Sequence, residues 1–149
     1  MEILISRIRK NASEEIWIAL STYEGHDLFN IRAYFRGLDG FQPTRKGVAL
    51  GVGKLAELHE ALKSATAMAT EDKPLVIQKN STEEIRVFQS QYMGHMLMNI
   101  RVFFFRNGKG TIGEPSHKGI AFNVNLTPEI IRAVELAMTQ VKSSEDNKT

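Results

Sequence analysis

The feature that most constrains this chain is a repeat within its own sequence. The run LFNIRAYF at residues 28–35 returns as LMNIRVFF at residues 97–104, sixty-nine positions later. Around it, residues 8–35 match residues 77–104 at fifteen of twenty-eight positions without a gap. Agreement of this length indicates a tandem duplication, so the chain is predicted to contain two copies of one supersecondary unit of about seventy residues.

We define the first repeat as residues 1–70 and the second repeat as residues 71–142. A largely polar stretch at residues 69–74 is the predicted linker between them. Residues 143–149 read SSEDNKT and carry no apolar side chain. A segment of that composition buries too little apolar surface to offset the entropy lost on ordering, so it is predicted to be a disordered tail.

Each repeat is predicted to contain four strands followed by one helix. In the first repeat, β-branched and aromatic residues concentrate in short segments that turn residues separate. The predicted strands cover residues 3–9, 16–23, 28–35 and 46–50. Between Lys54 and Met68, leucine and alanine recur at three- and four-residue steps without Gly or Pro, which is typical of an amphipathic helix. In the second repeat, Thr127 is the predicted N-cap of the helix and Pro128 its first residue. The fold class is therefore predicted to be α+β, with two tandem β-β-β-β-α repeats.

Side chains alternate between the two faces of a strand, so the sequence also predicts what each face carries. With a hairpin turn at Gly25 and His26, residues whose numbers sum to about fifty-one would lie opposite each other. One face is then apolar and is predicted to form the core under the helix: Ile16, Ile18, Leu20, Phe29, Ile31 and Ala33. The other face, which we call the outer face, mixes aromatic side chains with arginine. Its members include Trp17, Tyr23, Arg32 and Tyr34 in the first repeat and Arg86, Tyr92, Arg101 and Phe103 in the second.

The outer face has two interpretations. Bases of a single-stranded nucleic acid stack on aromatic rings while arginine and lysine contact the phosphates. Alternatively, aromatic residues beside arginine form a protein-interaction or dimerisation surface. The duplication favours nucleic acid, because Arg32 and Arg101 recur where a buried, unpaired charge would be costly.

A second basic feature precedes the fourth strand of each repeat. Arg45 and Lys46 in the first repeat correspond to His117 and Lys118 in the second. The glycines that follow are predicted to let the backbone approach a ligand closely. These four residues are therefore candidates for phosphate contact.

Several functional classes are not expected. The chain has no cysteine, which excludes disulfides and thiolate zinc sites. His26 and His95 each lie alone at a hairpin turn, so no metal site is predicted. The sequence shows no nucleophile with a base and an orienting group, and we expect neither an enzyme nor a cofactor. No apolar run is long enough to span a membrane, so a membrane partner is not predicted. The net charge of +2 is small for a protein that binds duplex DNA.

The run TYEGHDLFNIRAYF, followed by GLDGFQPTRKGVAL and an amphipathic helix, resembles the transcriptional positive cofactor four family of single-stranded DNA-binding proteins. The resemblance covers each repeat almost end to end. It implies β-β-β-β-α subunits that pair through their helices and bind single strands on curved antiparallel sheets. In this chain the pair would be an intramolecular pseudo-dimer. The purine-rich-element-binding proteins and the plant Whirly proteins share a comparable plan, although their motifs fit less closely.

The resemblance also implies a set of contact residues. The hairpin aromatic falls on Tyr23 and Tyr92, the residue after the turn glycine on His26 and His95, and the strand arginine on Arg32 and Arg101. The aromatic three positions later falls on Phe35 and Phe104, and the basic pair falls on Arg45, Lys46, His117 and Lys118. Strand alternation places Phe35 on the opposite face from Arg32. Either a bulge or strong curvature re-aims one of the two, or Tyr34, with Phe103 in the second repeat, is the stacking residue.

The predicted partner is therefore single-stranded DNA, with RNA as an alternative, bound with little base specificity. The resemblance implies a role in transcription regulation or DNA maintenance. We expect the protein in the cytoplasm, associated with the nucleoid in a prokaryote, or in the nucleus of a eukaryote. The repeats are expected to pair with each other, and further homo-oligomerisation stays open.

Overall fold

A computed structural model describes residues 2–146 of the chain. It contains two four-stranded antiparallel sheets, each followed by a helix, which confirms the α+β fold with two β-β-β-β-α units. The first unit consists of β1 (Glu2–Arg9), β2 (Glu14–Tyr23), β3 (His26–Gly37), β4 (Gly40–Gly51) and α1 (Leu55–Met68). The second consists of β5 (Leu75–Gln78), β6 (Glu83–Tyr92), β7 (His95–Phe104), β8 (Glu114–Asn123) and α2 (Thr127–Asp146). A short 3₁₀ turn precedes each helix.

The central hairpin of each sheet turns one residue earlier than the sequence predicts. Glu24 and Gly25 form the first turn, with φ values of 49° and 79°, and Met93 and Gly94 form the second, with 49° and 81°. Two consecutive positive φ values are typical of a type I′ turn, whose twist suits the flanking strands. Facing residues therefore sum to forty-nine instead of fifty-one. Because the register shifts by two residues, the assignment of side chains to faces is unchanged.

The fourth strand is longer than predicted. The stretch at 37–43, which lies between the third and fourth predicted strands, is mostly strand, because β3 and β4 stay paired as far as Gly37 and Gly40. A bulge separates this outer part from the inner part, since Arg32 faces Gly47 whereas Tyr34 faces Pro43. The same irregularity recurs between Arg101 and Phe103 in the second sheet.

The second helix departs from the sequence prediction at both ends. Thr127 is its first residue and not an N-cap: the hydroxyl is buried and makes no hydrogen bond to the described residues. Asn123 caps the preceding 3₁₀ turn instead, by accepting from the Asn125 backbone N–H. The helix continues to Asp146, through four residues that the sequence assigned to a tail, because no Gly or Pro stops it. Residues 147–149 of the predicted tail lie outside the described residues.

The core lies between the apolar sheet faces and the helices. All six residues predicted for the first sheet are buried. Leu58 and Leu62 are buried on the apolar stripe of α1, and Ile130 and Val134 are buried on the apolar stripe of α2. Burying a side chain of this size stabilises the fold by about 1.5–3 kcal/mol.

The helices are exchanged between the repeats, which the sequence does not predict. The main strand contacts of α1 are with β5 and β6, and those of α2 are with β1 and β2. The helices also contact each other, and His59 on α1 lies 2.8 Å from the Glu135 carboxylate on α2. The edge strands β4 and β8 pack side by side. The apolar face of each sheet is therefore covered largely by elements of the other repeat.

Candidate nucleic-acid interface

The two strand arginines lie flat across the outer face, each anchored to the neighbouring strand. Arg32 Nη1 donates to the Thr44 carbonyl at 2.9 Å, and Arg101 Nη1 donates to the Ser116 carbonyl at 3.1 Å. A guanidinium has five N–H donors in a fixed fork, so one bond to the backbone leaves donors for a ligand. Both side chains are half-buried. The arginines are thus held in place before any ligand arrives.

Gly47 and Gly119, the glycines after the basic pair, leave space for these arginine side chains. A Cβ built on Gly47 would lie 2.7 Å from Arg32 Cζ, and one on Gly119 would lie 2.5 Å from Arg101 Nη1. The prediction that these glycines make room for an external ligand is not what the structure shows. They make room for the guanidinium itself, because a methyl group there would occupy the same space.

The bulge in the fourth strand positions the basic residues. Thr44 Oγ1 donates to the Ala33 carbonyl at 2.8 Å and accepts from the Lys46 backbone N–H at 3.2 Å. Ser116 makes the equivalent bonds in the second repeat, to the Val102 carbonyl and from Lys118 N–H. All four predicted basic residues, Arg45, Lys46, His117 and Lys118, are exposed.

The hairpin tips present the most exposed aromatic rings of the outer face. Tyr23 is 65% exposed and lies directly opposite His26, and Tyr92 is 64% exposed and lies opposite His95. All four side chains belong to the outer face by strand alternation. An exposed ring next to an imidazole is a suitable surface for a base to stack on.

The next aromatic pair differs between the repeats. Tyr34 stacks on Trp17 with ring centroids 3.9 Å apart, and the Arg7 guanidinium lies over the Trp17 ring at 4.6 Å. In the second repeat Arg86 replaces the indole, and its guanidinium lies 4.1 Å from the Phe103 ring centroid. One face of Tyr34, and one of Phe103, is therefore already occupied within the protein.

Phe35 and Phe104 lie on the other side of their strands. They face Glu14 and Glu83 across the β2–β3 and β6–β7 pairs, which are continuous to the strand ends. Phe35 is 49% exposed, whereas Phe104 is half-buried beside the Arg106 guanidinium, 5.5 Å from its ring centroid. The bulge occurs in β4 and not in β3, so it does not bring Phe35 onto the outer face.

A half-buried carboxylate joins the basic residues at the start of each repeat's second strand. The Glu14 carboxylate lies 3.0 Å from Lys10 Nζ and 3.5 Å from Lys46 Nζ, and it accepts from the Asn11 amide at 3.2 Å. Burial of the Glu14 carboxylate acts to raise its pKa, but the hydrogen bonds from Lys10 and Asn11 and the two lysine charges outweigh burial. The pKa of Glu14 therefore lies below its ordinary value.

Glu83 has the same environment in the second repeat. The hydrogen bond from the Asn80 amide, at 2.8 Å, is the main cause that lowers the pKa of Glu83, against the opposing effect of burial. Lys79 and Lys118 lie 3.7 Å and 3.9 Å from the carboxylate and lower the pKa further. The Lys–Asn–Glu–Lys cluster is thus part of the duplicated unit.

A groove of about 530 Å³ brings several predicted residues together across the two repeats. The second repeat contributes part of its outer face, and the first contributes the turn after β1 and one residue of β4. The groove lining includes Tyr92, His95, Arg101 and His117 together with Lys10, Asn11 and Lys46, beside several apolar residues of β7 and β8. Phe103, Phe104 and Lys118 of the same repeat do not line it.

Lys10 and Asn11 are functional candidates that the sequence interpretation missed. Their signal is present in the sequence, because IRKNASEEI at residues 8–16 returns as IQKNSTEEI at residues 77–85, but the strand pattern leaves both residues between two predicted strands. Within residues 2–146, no three His, Asp or Glu side chains lie close enough to hold a metal ion. Neither helix in this part of the chain is long and apolar enough to cross a membrane.

The first repeat carries the resemblance to known proteins. Residues 10–61 match the sequence model of the family described as Transcriptional Coactivator p15 (PC4). The match covers about a third of the chain and includes Tyr23, His26, Arg32 and Lys46. It supports the resemblance seen in the motifs for the first repeat and does not extend into the second. A comparison with curated proteins finds no match.

Proposed function

We propose that this protein binds single-stranded nucleic acid, with DNA as the preferred ligand and little base specificity. The observation that carries the proposal is the groove in which Tyr92, His95 and Arg101 meet Lys10 and Lys46. Such a site combines a ring for base stacking with several cations for phosphates. Stacking contributes about 1–3 kcal/mol per base and accepts any base, because every base has a flat π-face.

The contacts available in the groove account for the low specificity. Arginine and lysine side chains recognise the phosphate backbone, which is the same for every sequence. The match to the PC4 family over the first repeat supports DNA as the ligand and a role in transcription regulation or DNA maintenance. Such a protein would act wherever single strands are exposed, in the nucleoid or in the nucleus.

Among the aromatic residues, we assign the main stacking role to Tyr23 and Tyr92. Their rings are about two-thirds exposed and share the outer face with the anchored arginines. Tyr34 and Phe103 have one ring face already occupied, and Phe35 and Phe104 point to the other side. These four are therefore assigned secondary roles.

The proposal is tested by titrating a labelled oligo-dT with the protein and following fluorescence anisotropy at about 50 mM and 200 mM salt. We expect binding that weakens steeply with salt, and a loss of about tenfold or more when Arg32 and Arg101 are both changed to Ala. The matched control changes Arg132 and Lys142, two exposed cations of α2, to Ala. Absence of binding at the lower salt, or equal losses in the two variants, would disprove the proposal.

A second candidate is docking of a protein on the same face. Met93, in the second hairpin turn, is 80% exposed, and flexible methionine side chains are frequent at adaptable protein interfaces. An apolar interface of this kind would be nearly insensitive to salt, whereas nucleic-acid binding would not. Competition among single-stranded DNA, duplex DNA and RNA in the same assay separates the nucleic-acid alternatives.

A further inference from the structure

We propose that Glu14 and Glu83 are internal competitors of the nucleic-acid phosphates, each pairing with an exposed lysine, Lys46 or Lys118, that a bound strand would otherwise contact freely. The proposal rests on the function proposed above. It assigns to these two glutamates a role in setting affinity, which neither the outer-face pattern nor the family resemblance provides.

The carboxylates are fixed in place. Asn11 Oδ1 accepts from the backbone N–H groups of Ser13 and Glu14 at 3.0 Å and 2.9 Å, and its amide donates to the Glu14 carboxylate. Asn80 makes the same three kinds of bond around Glu83. Only 12% of the Glu14 side chain and 21% of the Glu83 side chain is exposed. Neither glutamate can easily swing away from an approaching phosphate.

Lys46 and Lys118, by contrast, can turn towards a ligand. The side chains of Lys46 and Lys118 are 62% and 64% exposed and lie 3.5 Å and 3.9 Å from their carboxylates. Lysine is a compact charge on a flexible four-carbon stem, so it can exchange one anion for another. Lys10 and Lys46 both line the groove, whereas Glu14 does not.

This arrangement lowers the affinity for a phosphate in two ways. The lysine charges are partly neutralised before binding, and the fixed carboxylate repels the phosphate. A nucleic-acid strand that contacts the lysines alone therefore gains little binding free energy. Only a strand that also contacts the anchored arginines and the tyrosine rings binds well, so the glutamates suppress weak, purely electrostatic binding.

The test compares the wild type with an E14Q/E83Q variant in the oligo-dT titration at about 50 mM salt. Glutamine keeps an acceptor for the asparagine amide but removes the charge. We expect binding about fivefold tighter for each glutamate replaced, from the loss of one repulsive charge near a phosphate. The control, E57Q/E60Q, changes the net charge by the same amount and removes two Lys–Glu pairs, of which the glutamates lie on α1, with N–O distances of 3.8 Å and 3.6 Å.

If the wild type binds but E14Q/E83Q binds no tighter than E57Q/E60Q, the inference is overturned and the proposed function stands. If the wild type does not bind at all, the proposed function itself fails. A second measurement applies K46Q/K118Q to the wild type and to E14Q/E83Q, with folding checked by circular dichroism. We expect the lysine changes to weaken binding more in the glutamine background; an equal effect in both would contradict the competition.

Discussion

Arg101 lies so close over Gly119 that a Cβ on the glycine would come within 2.9 Å of three atoms of the arginine side chain. No other side chain or backbone atom is among these nearest neighbours. The Arg101 side chain thus packs directly against the Gly119 backbone, in the space that a Cβ would occupy. Gly47 plays the same role for Arg32, although there the Ile31 carbonyl is also 2.9 Å away.

Changing Gly119 to Ala should therefore displace Arg101. We expect a loss of stability of about 1–3 kcal/mol from overpacking, together with weaker binding of oligo-dT. Urea unfolding measures the first effect and anisotropy the second. The stability loss from Gly119→Ala should be smaller in an R101A background than in wild type. An equal loss in these two backgrounds would show that Arg101 is not the side chain that the new methyl group displaces. Gly51→Ala, where nothing lies within 4 Å of the added Cβ, is the control.

The stability of the fold should fall in acid through Glu14 and Glu83. Both carboxylates have pKa values lowered from 4.5 in the folded protein. A lowered pKa stabilises the fold above the unfolded-state value, and that stabilisation is lost as the pH falls through the folded-state pKa. Unfolding free energies measured between about pH 7 and pH 3 should decline less in E14Q/E83Q than in wild type. An identical decline would contradict the assignment.

The second hairpin can be stabilised at one position. Met93 has a φ of 49°. This conformation is unfavourable for a residue that has a Cβ, and asparagine tolerates it better than methionine does. Asn-Gly is also the preferred pair in a type I′ turn. We expect Met93→Asn to raise the unfolding free energy by about 0.5–1 kcal/mol. Met96→Asn, made in the adjoining strand, should not stabilise, since asparagine is disfavoured in strands.

The helix exchange predicts that a core change in one repeat affects both. Leu62 on α1 is fully buried, and Leu62→Ala should cost about 2–5 kcal/mol. Amide hydrogen exchange should show lost protection in β5 and β6 as well as in the first repeat. Leu136→Ala, at a 57% exposed position on α2, is the control. Loss confined to the first repeat would show that the helices do not couple the sheets.

The sequence predicts the order of elements and the two faces of each sheet correctly, because strand alternation and the repeat constrain both. Ile31 is fully buried and Arg32 half-exposed, as alternation requires. The predicted turn lies one residue too far along the chain, because Glu-Gly and Met-Gly are not strong signals for a type I′ turn. A register error of two residues leaves each side chain on its predicted face of the sheet, because the side-chain period of a strand is two residues.

The groove and the helix exchange could not be predicted in this way. Both depend on which elements of one repeat contact the other, and periodicity within a repeat carries no information about that. The role of Gly119 also escaped prediction, since a glycine that accommodates a side chain reads the same as one that accommodates a ligand. The Lys10 cluster was visible in the repeat, but only the structure places Lys46 beside it.

Because each helix covers the strands of the other half, a single repeat made alone would leave its apolar sheet face open and would have to capture a second copy. In this chain the two repeats are tethered, so their assembly does not depend on the protein's concentration. The two halves are also free to diverge. Trp17 in one half and Arg86 in the other occupy corresponding positions, which a symmetric dimer of identical chains cannot achieve.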